Sequence, residues 1–220
     1  MMNRSKRVGA LFAKAVVAGV LLVSAGLASA LPFSAFQGRD ADGSVNNTCT
    51  ATGGTKCVMI YDSTLNITIL NDWNIGSGVW DGSATPSATS AQGIAKAQGE
   101  AQTDFTGWRL PTGDGSQSAG SLNEYLSIWN DVGGSLAGLQ SEFDGVQADP
   151  YWSGSEVVAA FAWIFVTGVG DQNFVFRNPP LFAVAVRSGD VVAAVPEPES
   201  LALVLVGLVA AGVARRRRPL

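Results

Sequence analysis

The chain has 220 residues, a formal charge of −4, two cysteines and no histidine. Without histidine the usual general base and the commonest metal ligand are missing, which excludes Ser-His-Asp and Cys-His arrangements; two thiols alone do not make a zinc site. No basic stripe runs along the sequence, so nucleic acid is excluded as a partner.

Taken in chain order, the first element is an address. Arg4, Lys6, Arg7 and Lys14 precede an apolar stretch from Ala15 to Ala28, and Ala28-Ser29-Ala30 follows. A basic segment, an apolar segment and a small-x-small site describe a secretory signal peptide over residues 1–30. Signal peptidase is expected to cut after Ala30 and leave Leu31 as the new N-terminus.

Residues 31–57 are rich in Gly, Asn, Asp, Ser and Thr and are expected to form turns. Within them Asp40-x-Asp42-Gly43-Ser44 sets oxygens at alternate positions, as calcium loops do. The remaining oxygens and the terminal Glu of an EF-hand are missing, so Asp40 and Asp42 read as an ordinary Asp-Gly turn with calcium as the alternative. No other cofactor is expected. Cys49 and Cys57 are expected to face an oxidising compartment and to pair across a short loop, contributing about 2–3 kcal/mol.

Val58–Tyr61 and Asn66–Leu70 read as two strands around a turn, 76–90 as a loop, and Ala91–Gln102 as a helix. Ser121-Leu122-Asn123-Glu124 has the form of a capping box, and Leu122, Tyr125, Leu126 and Trp129 follow at helical spacing. The second half then changes period. Tyr151–Ser153, Ala162–Val166, Phe174–Phe176 and Phe182–Arg187 are short apolar runs separated by turn residues, the pattern of an antiparallel sheet. The expected class is α+β, with one or two helices and a mainly antiparallel sheet, flanked by an N-terminal signal helix and a C-terminal apolar helix.

The chain ends in Val-Pro-Glu-Pro-Glu-Ser, then fifteen uncharged residues (Ser200 to Ala214), then Arg215-Arg216-Arg217-Arg218. Pro196 and Pro198 hold their stretch extended around Glu197. The apolar run spans about 22 Å as a helix, short of the roughly 30 Å hydrocarbon core, so membrane anchoring should be transient. Four arginines keep that end in the cytoplasm, the topology the signal peptide also requires. This tail, residues 192–220, resembles the PEP-CTERM sorting signal of exosortase-processed bacterial proteins. The resemblance implies an exosortase as processing partner and an inner-membrane-anchored precursor, then release to the cell surface or beyond.

Between the two addresses lie residues 31–191, the size of one domain. They hold six of the 14 basic and 16 of the 18 acidic residues, a net charge of −10. Such a domain repels anionic polymers and suits neutral sugars or divalent cations better.

A second resemblance covers about residues 37–191. Gly107-Trp108-Arg109-Leu110-Pro111-Thr112, a helix, Tyr151-Trp152-Ser153-Gly154, Ala162-Trp163-Ile164-Phe165 and Ala185-Val186-Arg187 occur in order. With the opening loop Gly38–Gly43 and the strand pair from Tyr61 to Thr68, this series resembles the Lcl C-terminal-like domain of unknown function. It implies a C-type-lectin-like fold, with Trp108 and Trp163 in the core and Arg109 and Arg187 paired with buried carboxylates. The Arg-Leu-Pro-Thr element also resembles the formylglycine-generating enzymes, but the late cysteines they use are absent. The expected function is a surface or matrix protein with a non-catalytic binding domain, extracellular polysaccharide being the candidate ligand. The alternative is a carboxylate-dependent glycoside hydrolase, for which Asp144, Asp149 and Glu156 lie near aromatics.

Overall fold

The structure, a computed structural model, describes residues 36–46, 48–49, 56–116 and 118–191. The expected signal peptide with Ala28 and Ala30 lies outside them, as does the sorting tail with Pro196, Glu197, Pro198 and Arg215 to Arg218. Among the described residues no helix is long and apolar enough to cross a membrane.

The first sheet is built from β1 (Phe36–Arg39), β2 (Met59–Asp62), β3 (Ile67–Leu70) and, from the far end of the domain, β9 (Val186–Ser188). Its order is β1-β2-β3-β9, antiparallel throughout. The tight turn between β2 and β3 is written into its residues. Asp62 Oδ1 accepts from Thr64 N at 2.8 Å and Leu65 N at 3.2 Å, and Asn66 takes the left-handed conformation that closes the hairpin.

The second sheet contains β4 (Ser77–Gly78), β5 (Pro150–Val158), β6 (Phe161–Val166), β7 (Asp171–Phe176) and β8 (Leu181–Phe182). Its order is β4-β8-β5-β6-β7, which leaves β7 at an edge; β5 and β8 meet in parallel at Tyr151 and Phe182. Three helices pack on these sheets: α1 (Ala91–Gln102), α2 (Glu124–Asp131) and α3 (Leu136–Glu142).

Alternation along the strands divides the core in two. Tyr151 and Phe165 point toward α2 and α3 and cluster with Tyr125, Trp129, Phe143 and Trp73. Trp152, Ala162 and Ile164 point the other way and cluster with Trp108, Leu110 and the alanines of α1. On that second side α1 comes in close because its buried face is Ala91, Gly93, Ala95 and Gly99. A methyl group on Gly99 would overlap the Trp108 ring.

The expected class needs correction. Among the described residues nine strands in two sheets outweigh three short helices, so the single sheet with one or two helices, and the C-type-lectin-like reading with it, are not what the chain forms. Two features account for the difference. Phe182–Arg187 reads as one apolar strand, yet Phe182 belongs to the second sheet and Val186 to the first, with Ala183 to Ala185 fully buried as they cross between them. Continuous hydrophobicity reports burial and cannot show where pairing partners change. The second feature is α3, seven residues capped by Ser135 Oγ on Gly138 N at 3.1 Å. It is too short and glycine-broken to show a period.

The start of α2 also differs from expectation. Asn123, not Ser121, is the N-cap, with Oδ1 accepting from Leu126 N at 3.3 Å. Leu122 is consequently outside the helix and exposed, while Tyr125, Leu126 and Trp129 are buried as their spacing requires.

Candidate functional site

The β6–β7 hairpin carries an unusual surface. Its register sets Phe161 opposite Phe176 and Trp163 opposite Phe174, and the period of two puts all four rings on one face. Phe161 and Phe176 lie 4.2 Å apart between ring centres, Phe161 and Phe174 5.8 Å, and Trp163 and Phe174 5.6 Å. At the next inward position the same face is covered: Phe165 stacks on Tyr125 of α2 at 5.1 Å. Beyond α2 and the loop at Gly115 the described part of this face opens to solvent. Phe174 is 47 % exposed and Phe176 60 % exposed, with Phe161 and Trp163 half-buried beneath them.

The stripe is held in place at its inner end. Gly115 brings its backbone against the Trp163 ring, where any side chain would overlap it. Gln172 anchors that loop, its Oε1 accepting from Gly115 N at 3.4 Å and its Nε2 donating to Ser116 O at 3.1 Å. On the opposite face of the sheet Arg177 lies over the Trp80 ring at 4.3 Å and pairs with Glu156. An aromatic ladder on an edge hairpin, fixed by its neighbours and facing solvent, is a ready surface for a flat ligand.

Two clefts among the described residues lie elsewhere. One of about 340 Å³ runs between the β2–β3 turn and α2, lined by Thr64, Leu65, Ser127, Asn130 and Asp131 among others. Asp62 and Asp131 each leave an Oδ2 buried without a partner, and burial raises both carboxyls above the usual range, Asp62 further under the influence of Asp131 and Glu124. The other cleft, about 270 Å³, lies between α1 and the Trp108–Thr112 segment. Its wall includes Arg109, whose Nη1 and Nη2 donate to the two oxygens of buried Glu124 at 2.7 Å each. Thr112 N donates to the same carboxylate at 2.8 Å.

The structure places the sequence-derived candidates as follows. Cys49 and Cys57 form a disulfide, as expected. Asp42 Oδ1 accepts from both Ser44 N and Ser44 Oγ, which holds its carboxyl below the usual range, and Asp40 Oδ1 accepts from Asn46 Nδ2. Gly43 N closes the turn on Asp40 O at 3.0 Å. Among the described residues no group of three or more acidic, cysteine or histidine side chains could hold a metal. Trp108 is in the core and Arg109 is paired with a buried carboxylate, both as expected. Trp163 is instead half-buried in the aromatic stripe, and Arg187 donates to Thr106 O and lies over the Phe105 ring.

Asp144, Asp149 and Glu156 stand on separate elements with separate surroundings. Asp144 pairs with Lys56 at 2.5 Å after α3, Glu156 pairs with Arg177 on β5, and Asp149 is exposed before β5. Sequence reasoning missed the carboxylates that burial perturbs most: Asp62, Asp131 and Glu142, the last raised to about 7 by desolvation alone. No periodic signal marked Glu142, because α3 is too short and glycine-broken to show one.

Comparison with known proteins locates one relationship. Residues 194–218 match the PEP-CTERM protein-sorting motif. The match supports export and processing by an exosortase, through a precursor anchored in the membrane. It does not reach residues 37–191, whose resemblance to the Lcl C-terminal-like domain stays an inference from the motifs. No curated protein matches the chain.

Proposed function

We propose that the exported portion is a non-catalytic binding domain that docks neutral polysaccharide on the aromatic stripe of β6 and β7, and that sorting delivers it to the cell surface or the surrounding matrix. The observation carrying this reading is the exposure of Phe174 and Phe176 over Phe161 and Trp163. The axial C–H bonds of a pyranose form an apolar face that stacks on an aromatic ring, and a ladder of rings receives successive sugars along a chain. Charge selects among polymers. With six basic and 16 acidic residues between the two addresses, an anionic chain would be repelled and a neutral one would not. The absence of histidine is consistent with binding rather than turnover, and the dispersal of Asp144, Asp149 and Glu156 lends the hydrolase alternative no support.

The test is retention of the full chain, in mild non-ionic detergent, on insoluble cellulose and on a panel of neutral glucans. Wild type should be retained, and the Phe174→Ala/Phe176→Ala double variant should bind about tenfold or more weakly, as each ring would lose apolar contact with the sugar face worth about 1 kcal/mol. Both side chains are exposed, so the unfolding midpoint should barely move. Retention equal in the variant and wild type, or no retention on any neutral glycan, would overturn the proposal.

A further inference from the structure

We propose that the face around Val191, where the folded domain gives way to the sorting tail, is a docking surface for the exosortase, and that its acidic rim continues the pattern of Glu197 and Glu199 in the motif.

The chain leaves the domain at a fixed point. Val191 is 1 % exposed and packs in the cluster that holds Met59, Leu70 and Trp108. The residue before it is held as firmly. Asp190 accepts from Arg39 Nε on Oδ1 at 2.9 Å and from Arg39 Nη2 on Oδ2 at 2.6 Å, and Arg39 is itself buried. The Asp40–Ser44 turn lies directly against this exit. A methyl group on Gly43 would overlap both Val191 O and the Phe105 ring, so glycine is what lets the departing chain pass over the turn.

The tether beyond is short. Four residues separate Val191 from Pro196, and five steps of even a fully extended chain reach at most about 18 Å. The matched motif begins sooner still, at residue 194. A small catalytic domain is about 30 Å across. An enzyme that closes on Pro196 to Glu199 is therefore brought against the surface around Val191 and cannot work clear of it.

The charge of that surface suits the same enzyme. Asp42 and Asp104 are exposed on it, and Asp104 N donates to Ala41 O at 3.1 Å, which joins their two segments. Among the described residues neither carboxylate is in an ion pair. Asp40 stands beside them, half-buried and accepting from Asn46 Nδ2. Arg187, over the Phe105 ring at 5.2 Å, offsets one of these three charges and leaves the face acidic. Half-buried Phe105 and exposed Val45 add apolar contact. An enzyme that accepts two glutamates between and after prolines presents donors or cations to them, and anions held close to the motif meet the same field.

This surface is built from β1, β9 and the turns beside them, and it shares no residue with the aromatic stripe. It rests on the sorting motif and not on polysaccharide binding, so the two proposals stand or fall separately.

The experiment is pulse-chase labelling of the full chain in exporting cells that hold an exosortase, following conversion of the anchored precursor to its shortened product. Asp42→Asn/Asp104→Asn keeps the side-chain oxygen that closes the turn on Ser44 and removes both charges from exposed positions. It should slow conversion about threefold or more, as rim charges act on association, and leave the thermal unfolding midpoint unchanged. A ten-residue Gly-Ser spacer inserted after Ala193 lengthens the reach by up to about 35 Å and lets the enzyme work clear of the domain. In that longer chain the same double substitution should alter conversion by less than about 1.5-fold, because contact with the rim is no longer enforced. The Phe174→Ala/Phe176→Ala variant should be processed as wild type is. Equal conversion of Asp42→Asn/Asp104→Asn and wild type on the native tether would overturn the proposal. So would the same slowing with and without the spacer, since the charges would then act on export or folding and not on docking.

Discussion

Arg109→Met should destabilise the protein by about 3 kcal/mol. Glu124 is 2 % exposed, and three donors meet its carboxylate: Arg109 Nη1, Arg109 Nη2 and Thr112 N. Methionine keeps much of the arginine stem and removes both charge-assisted bonds, leaving a buried carboxylate with one backbone donor. Breaking a buried pair from one side typically costs 3–5 kcal/mol, because the remaining charge is stranded. The Arg109 side chain is 38 % exposed, so water reaches the outer side of the pair and the lower end of that range applies. Arg109→Met/Glu124→Leu removes the stranded charge and should recover at least half of the loss, whereas independent effects would add. Urea unfolding followed by tryptophan fluorescence, in all four members of the cycle, supplies the numbers. A single-variant cost below about 1 kcal/mol, or a double variant no better than Arg109→Met, would refute the stranded-charge argument.

Three further outcomes follow from other parts of the molecule. Burial raises the Glu142 carboxyl from 4.5 to about 7. The folded state therefore holds that proton to higher pH than the unfolded chain does; this contribution to stability is complete below about pH 4.5 and is lost as pH rises toward 7. Glu142→Gln should flatten the fall in stability across that window and stabilise the protein at pH 8 by about 1–2 kcal/mol, allowing for partial solvation; urea midpoints against pH would show no difference if the reasoning fails. A methyl group on Gly38 would overlap both disulfide sulfurs and Asn46 O, so Gly38→Ala should cost at least about 2 kcal/mol by thermal unfolding, and a cost near zero would show that β1 can shift freely. Replacing Pro196, Glu197 and Pro198 together by alanine should leave the tail uncleaved and the protein in the membrane fraction, while release equal to wild type would refute their role in sorting.

Elements whose cause is local were legible in the chain. The helix from Ala91 to Gln102 has the bounds its composition predicts, because Ser90 caps it and Thr103 ends it. The β2–β3 hairpin follows from two apolar runs around an Asp-Ser-Thr turn, and β5, β6 and β7 contain the aromatic runs that announce them. Elements whose cause lies elsewhere in the chain were not legible. The capping-box spacing at Ser121 points two residues too early, since Glu124 is drawn to Arg109, fifteen positions back, and Ser121 O accepts from Thr112 Oγ1. The four residues of β1, in a stretch whose composition reads as turns, become a strand only because β2 offers a partner edge.

The sequence by itself determined the C-terminal sorting motif, the acidic charge of residues 31–191, the lack of histidine chemistry and a cysteine spacing suited to a short disulfide loop. Each of these depends on residues close together or on totals that folding does not alter. Only the tertiary structure decided that Phe182 and Val186 part company into different sheets, that Trp163 serves a surface stripe and not the core, and that the Gln92 amide nitrogen is buried without a partner. Pairing partners, coverage by a helix and an unmet hydrogen bond are relations between distant segments. Residue type supplies the donor or the ring, and the fold alone determines whether anything lies opposite it.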